Sequence, residues 1–406
     1  MLLKIGRSLL RSLALRAALA LGGSGLALAV GNLLLARFLP PAEFALFSLT
    51  FSLIMVGISI GPVGADVILT RHRFVPDARL HRQILLTSTL TSLAIVVFSH
   101  LMYPIRWGLL CCLLVSIVAG AVKTIPVAYY RSQQKFGTAL TLTVSTNLSV
   151  MTAAVIAWFA HAQSALWPAI AMALTLLVSG AIGWRSIAAA AAGAPAGQGY
   201  SWAEGFSAMS FSVFGTILGV LDRLVIPDFL DLSALATFGV LAIVAGSPFQ
   251  MLHLGVGYTL LPALRNAPSR ERRVRVLRHE SLVIGACCAG AAVAVLWATP
   301  YIVKYVLANR YHISSELIWA ALVGGLFKVA GSLMAAVVNA LGSGRQLAQL
   351  SGIGAVAILI SLAGAFIGSH WDLVGLVYGV SAGWLFRALA TATLALPRLL
   401  NEEAGS

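Results

Sequence analysis

The chain has 406 residues, 59% of them hydrophobic and only 10% charged, with a mean hydropathy of +0.93. A soluble protein carries roughly 25% charged residues, and no water-soluble fold of this size can bury so much apolar surface. The formal charge of +14 would suggest nucleic acid in a soluble protein, but here the basic residues cluster between apolar runs of about 20 residues, so the chain reads as an all-α, polytopic membrane protein with no nucleic-acid partner.

Met1 to Arg11 is basic and leads into an apolar stretch, as a secretory signal does. Arg16 interrupts that stretch and further spans follow, so an uncleaved first helix is expected. Hydropathy windows predict twelve spans, at about 14–36, 43–66, 83–103, 105–130, 138–160, 165–187, 205–226, 233–262, 280–300, 316–341, 346–369 and 372–396. Arg71, Arg73, Arg79, Arg82, Arg131, Lys135, Arg185, Arg265, Arg345 and Arg398 fall on one side with the N-terminal cluster and the run from Arg270 to Arg278. The other side holds only Arg37, Arg106, Arg223, Lys304 and Arg310, a bias that predicts both termini in the cytoplasm. The run from Arg270 to Arg278 is read first as the signal retaining its loop, and second as a contact for lipid headgroups.

Gly22-Gly23-Ser24-Gly25, Gly61-Pro62-Val63-Gly64, Pro126 and Pro248 interrupt spans, where they permit either close packing or a bend. Cys111-Cys112 and Cys287-Cys288 are adjacent pairs that point in different directions on a helix and lack metal-ligand spacing, so they read as packing residues. A low-complexity stretch from Ala188 through Pro195 to Gly199 divides the chain into a six-helix bundle over 1–187, a cytoplasmic linker over 188–204 and a second six-helix bundle over 205–406. A weak echo supports two pseudo-symmetric halves. Arg37 is followed by Pro41 and Phe44 at the second span, and Arg223 by Pro227 and Phe238 at the eighth.

Lys123, Lys328 and Arg387 lie inside apolar runs with no acidic residue within a turn or two along the chain. A cation at that depth costs about 3 kcal/mol on the lenient insertion scale and normally faces a wet, protein-lined interior. Together they suggest an anion cavity, the alternative being cations satisfied by backbone carbonyls at helix breaks. Lys123 and Lys328 sit on the fourth and tenth spans, where a pseudo-twofold axis would set them face to face. Arg16 either joins them or snorkels outward. Arg37, Asp222 and Arg223 mark span ends and read as gate or interfacial groups, as does Asp66 within reach of Arg71. His253 is either a packing residue or a group that titrates during transport. No P-loop, nucleophile–base set, metal-ligand cluster or long extramembrane loop is present, so neither an enzyme nor a bound cofactor is expected.

Several strings carry a family likeness: Asn32-Leu-Leu-Leu-Ala-Arg37-Phe-Leu-Pro-Pro-Ala-Glu43-Phe, Tyr130-Arg-Ser-Gln-Gln-Lys135-Phe, Leu221-Asp222-Arg223, Tyr258-Thr-Leu-Leu-Pro262 and Asn339-Ala-Leu-Gly342-Ser-Gly344-Arg345. In order and spacing the chain resembles the O-antigen and exopolysaccharide repeat-unit flippases of the multidrug/oligosaccharidyl-lipid/polysaccharide exporter superfamily. Pro41-Ala42 and Ala45 depart from that family's usual glycines. The resemblance implies a fold like that of the superfamily's multidrug exporters and alternating-access movement of an undecaprenyl-pyrophosphate-linked oligosaccharide to the periplasmic leaflet. Protons, sodium or the membrane potential would drive it in the bacterial inner membrane, and a polysaccharide polymerase or co-polymerase is an implied partner. Other readings are a cation-coupled drug exporter, which would want intramembrane carboxylates, a lipid II flippase, and a membrane enzyme of glycan assembly.

Overall fold

The computed structural model describes residues 13–72, 74–133, 135–191, 200–267, 269–342 and 344–400, and every regular element among them is helical. Much of the linker expected over 188–204, and the termini, lie outside the described residues. Backbone packing divides the chain into two compact units, one ending at Val213 and the other beginning at Phe214.

The first unit contains α1 (Leu13–Phe38), α2 (Pro41–Ile60), α3 (Ala65–His72), α4 (Ala78–Met102), α5 (Trp107–Ser132), α6 (Phe136–Phe159), α7 (Leu166–Ala191) and the beginning of α8 (Trp202–Phe229). Its centre is α5, against which α2, α3, α4, α6 and α7 all pack, while α1 lies on α6. Two-thirds of the apolar window of α5 is buried (67%), against 22% for α4, so α5 forms the core and α4 turns most of its apolar surface outward. In lipid this is no contradiction, because an exposed Leu on a spanning helix is already in its preferred solvent.

The second unit contains α9 (Leu232–Leu241), a π-helical turn (Ala242–Gly246), α10 (Ser247–Arg265), α11 (Arg270–Tyr301) with a second π turn (Ile302–Val306), α12 (Ser315–Leu341), α13 (Gly344–Gly368), a 3-10 turn (Ser369–Trp371) and α14 (Asp372–Leu400). α12 packs on both α10 and α14, and α14 packs on α13. The α13–α14 hairpin is drawn together by glycines. A Cβ on Gly364 or Gly379 would strike the other's backbone, and the same holds for Gly368 and Gly375. Small residues let spanning helices approach closely enough for dispersion to hold them.

Ten stretches among the described residues are long and apolar enough to cross a membrane, the last of them joining α13 and α14, and α1 adds the apolar helix Gly23–Phe38. Each of the expected spans therefore has its helix, and the chain is a multi-pass, all-helical membrane protein. Three spans differ in detail. The second ends at Ile60, where Gly61-Pro62 breaks it and Val63 and Gly64 take left-handed backbone angles (φ 48° and 71°). Such an angle is strained for a β-branched residue, and the Tyr200 hydroxyl, donating to the Val63 carbonyl at 2.5 Å, helps hold it. Asp66 therefore sits on the separate helix α3, not at the end of the second span. The eighth span is not a continuous α-helix. Pro248 has no N–H, its ring crowds the carbonyl four residues earlier, and the chain answers with the π turn just before it. The ninth span, α11, begins at Arg270, not near 280, because the basic segment is itself helical and capped by Ser269, whose Oγ accepts from the Arg272 N–H at 3.3 Å.

Candidate functional site

In the second unit the sequence brings four side chains to one place. α12 presents Lys328. α14 presents Trp384 and Arg387, which share a face because they are three residues apart. α10 presents His253. Small residues set these helices close at that level: a Cβ on Gly325 would lie 2.7 Å from the Phe249 ring, and one on Gly331 would lie 3.7 Å from the Ala388 backbone.

Trp384 is 4% exposed, and both cations stand over its indole. The Lys328 Nζ is 5.0 Å and the Arg387 Cζ 5.4 Å from the ring centroid. An indole face attracts a cation through its quadrupole, most strongly where water is scarce. His253 meets the same ring edge-on at 6.4 Å, and its Nδ1 lies 3.4 Å from the Lys328 carbonyl oxygen. That contact orients the imidazole if Nδ1 carries the proton. Asp222 and Arg223 on α8 act electrostatically on Lys328, and Lys328 and Arg387 act on His253. Gly215, also on α8, leaves room for the Arg387 guanidinium, which would come within 3.7 Å of a Cβ there.

Lys328 and Arg387 are half-buried, and among the described residues neither has a carboxylate within ion-pair distance nor a hydrogen-bond acceptor for its charged nitrogens. The buried Nε of Arg223 and the indole Nε1 of Trp384 are likewise without an acceptor. This region is thus rich in donors and short of acceptors: ammonium, guanidinium and indole N–H groups in a poorly hydrated place. Its chemical complement is a compact species with several acceptor oxygens and negative charge.

Lys123, in the first unit, is placed differently. It is 4% exposed, and its Nζ donates to Ser145 Oγ at 3.2 Å and to Thr146 Oγ1, both on α6. Beside it the Trp184 Nε1–H donates to the Val122 carbonyl at 2.9 Å. These hydroxyls stand in for water around the ammonium, so Lys123 is a satisfied cation within helix packing. Asp66 is half-buried on α3. Burial raises its carboxyl above the usual range, while backbone N–H groups and Arg131 pull the other way. Burial, and then Asp66, push the nearby Tyr200 hydroxyl up to about 12. Arg37 is in the last turn of α1 and half-buried, and Arg16 lies on α1 with its side chain outside the described residues.

Two functional-looking groups were not singled out from the sequence. Hydropathy does not separate Trp384 from the other aromatics of the apolar runs, although its spacing of three from Arg387 is a signal. Glu43, 9% exposed at the start of α2, accepts from the Ala165 N–H at 2.8 Å and pairs with Arg106 at 3.2 Å. It ties the starts of α2, α5 and α7 together. No group of three or more His, Cys, Asp or Glu side chains among the described residues is disposed to hold a metal ion.

No protein-family model and no curated protein matches the sequence. Solved structures do match the fold along nearly its whole length. The chain is similar to the lipid II flippase MurJ in an inward closed conformation, with a TM-score of 0.70 and 13% identity over 95% of this chain and 89% of that one. It is similar to a multidrug resistance MATE family transporter of the MOP superfamily in an inward-facing conformation, with a TM-score of 0.64 and 14% identity over 93% and 94% of the two chains. The eukaryotic MATE transporter AtDTX14 aligns with a TM-score of 0.61 at 13% identity over 94% and 93%. The chain therefore has the fold of MATE and MurJ transporters.

Proposed function

We propose that this protein is a transporter, not an enzyme, which moves an undecaprenyl-pyrophosphate-linked oligosaccharide across the bacterial cytoplasmic membrane toward the periplasmic leaflet. The observation that carries this reading is the pair of acceptor-less cations, Lys328 and Arg387, over Trp384. A lipid-linked pyrophosphate has the oxygens and the charge that these donors lack. At 4 Å one charge pair is worth about 4 kcal/mol at an effective dielectric of 20, so two contacts offset much of the desolvation on both sides. Arg387 suits two phosphate oxygens at once, and Lys328 supplies a mobile point charge. The fold shared with a lipid II flippase agrees with a prenyl-linked cargo.

On the first unit this reading gives Arg16 a cargo contact, while Lys123, already satisfied by Ser145 and Thr146, supports the helix packing and does not touch the cargo. Arg37, Asp222, Arg223 and Asp66 act as gate or interfacial groups. His253 couples the cycle to a proton; sodium or the membrane potential is the alternative drive. Polysaccharide polymerase or co-polymerase proteins would receive the cargo.

A second reading, a cation-coupled exporter of small molecules, is favoured by the MATE fold and by Asp222, a carboxylate electrostatically close to Lys328. Proteoliposomes separate the two. The first reading expects flipping of a fluorescent prenyl-pyrophosphate glycan that Lys328→Ala and Arg387→Ala each reduce at least tenfold while the protein still inserts, with no movement of a cationic dye. Dye movement that survives both substitutions, with no glycan flipping by the unsubstituted protein, would replace it with the second.

A further inference from the structure

α11 is 32 residues long, about 48 Å at the helical rise, against a hydrocarbon thickness of about 30 Å. One side of it faces protein: Arg273, Ile284, Cys288, Val295 and Thr299 are all buried. The opposite side is exposed, with Leu282 and Val293 each at 67% and Trp297 at 69%, the surface of a helix that meets lipid. Arg275 and Arg278 continue that same exposed stripe toward the N-terminus, at steps of three and four residues from Leu282, with exposed Arg272 beside them.

Arg273 has its own role. Buried, its Nε donates to the Ala267 carbonyl at 3.2 Å and fastens the preceding turn. Arg272, Arg275 and Arg278 have no carboxylate within ion-pair distance among the described residues, although Glu271 lies near the same face. Arg272 also sits in the first turn of the helix, where the macrodipole disfavours positive charge, and arginines three apart on one helix repel one another. A retention signal needs neither helical order nor a lipid-facing stripe. Three arginines aligned above lipid-facing apolar residues call for an external anion at headgroup depth.

We propose that the exposed face of Arg272, Arg275 and Arg278 on α11 is a binding surface for the phosphates of anionic phospholipids in the surrounding leaflet. Arginine suits this because its planar fork takes two phosphate oxygens, while the apolar stripe below it receives the acyl chains. The proposal stands whatever cargo the protein carries.

The test uses the full-length protein in a neutral detergent, with phosphatidylglycerol, cardiolipin or phosphatidylcholine added, and reads melting temperature and bound lipid by native mass spectrometry. The anionic lipids should raise the melting temperature more than phosphatidylcholine, with an effect that fades as salt is raised. R272Q/R275Q/R278Q should weaken their binding roughly tenfold or more. R275Q/R278Q serves if the triple variant fails to accumulate, since Arg265 and Arg345 still orient the loops, and it should show a smaller loss of the same sign. Equal effects of phosphatidylglycerol and phosphatidylcholine on the unsubstituted protein, or full anionic-lipid binding by the variants, would overturn the proposal. So would an equal shift from inorganic pyrophosphate alone, lost in the same variants, because it would assign the face to a soluble phosphate.

Discussion

Lys123 and Lys328 look alike in the sequence, each a lone cation in an apolar run, yet their surroundings separate them. Two hydroxyls on a neighbouring helix solvate Lys123, whereas Lys328 has an indole face below it and no acceptor around it. A cation already given its hydrogen bonds has less to gain from a ligand than one left without them. The sequence could mark both positions as costly but could not distinguish them, because Ser145 and Thr146 reach Lys123 across a helix interface. Asp66 is a third residue whose neighbours decide its chemistry. Its folded-state carboxyl is raised above 3.8 by burial, so the folded chain holds that proton more tightly than the unfolded one. Stability is therefore gained as pH falls through the raised value toward 3.8, and at higher pH the buried carboxylate is a cost. Asp66→Asn should melt above the unsubstituted protein at pH 8 in detergent, with the gap closing as pH is lowered. A gap that is constant with pH, or of opposite sign at pH 8, would show that Asp66 is stabilised as a carboxylate.

At the scale of the helix, the period and length of the apolar runs made nearly every span legible, since a bilayer demands continuous backbone hydrogen bonding over about 20 residues. What escaped was whatever does not depend on hydropathy. The first turns of α11 are basic, so a window tuned to apolar residues begins ten residues late. The π turn before Pro248 keeps the hydropathy of an ordinary helix, and the break at Val63 depends on Tyr200, far along the chain. The α13–α14 hairpin shows the same limit. Its glycines were visible, but their pairing of Gly364 with Gly379 and Gly368 with Gly375 was not. That seam fixes α14, and with it Trp384 and Arg387. Gly379→Val would force the helices apart, at a cost of about 1–3 kcal/mol for overpacking a tight contact. Its melting temperature in detergent should fall, and glycan flipping should fall with it. Gly352, which has open space at its Cβ, is the control, and Gly352→Val should leave both unchanged. Equal behaviour of the two variants would remove the seam as the support of the site.

For the molecule as a whole, the strongest sequence signal with a testable consequence is the uneven placement of basic residues. Helix ends and connections near Arg131, Lys135, Arg185, Arg265 and Arg345 alternate along the chain with those near Arg106, Lys304 and Arg310. Insertion retains Lys and Arg on the cytoplasmic side, where translocating them against the membrane potential costs about 2.3 kcal/mol per charge per 100 mV. Both termini should then be cytoplasmic. The four native cysteines, Cys111, Cys112, Cys287 and Cys288, take no part in a disulfide among the described residues and can be replaced by serine or alanine. Single cysteines can then be placed at Asn309, exposed after the second π turn, and at Asn266, exposed in the turn before α11. In intact cells a membrane-impermeant maleimide should label position 309 and spare position 266, which should react only after the membrane is opened. The reverse pattern would invert the molecule. It would also set the arginine face of α11 in the opposite leaflet and reverse the direction assigned to the cargo, while leaving the Lys328–Trp384–Arg387 geometry as it stands.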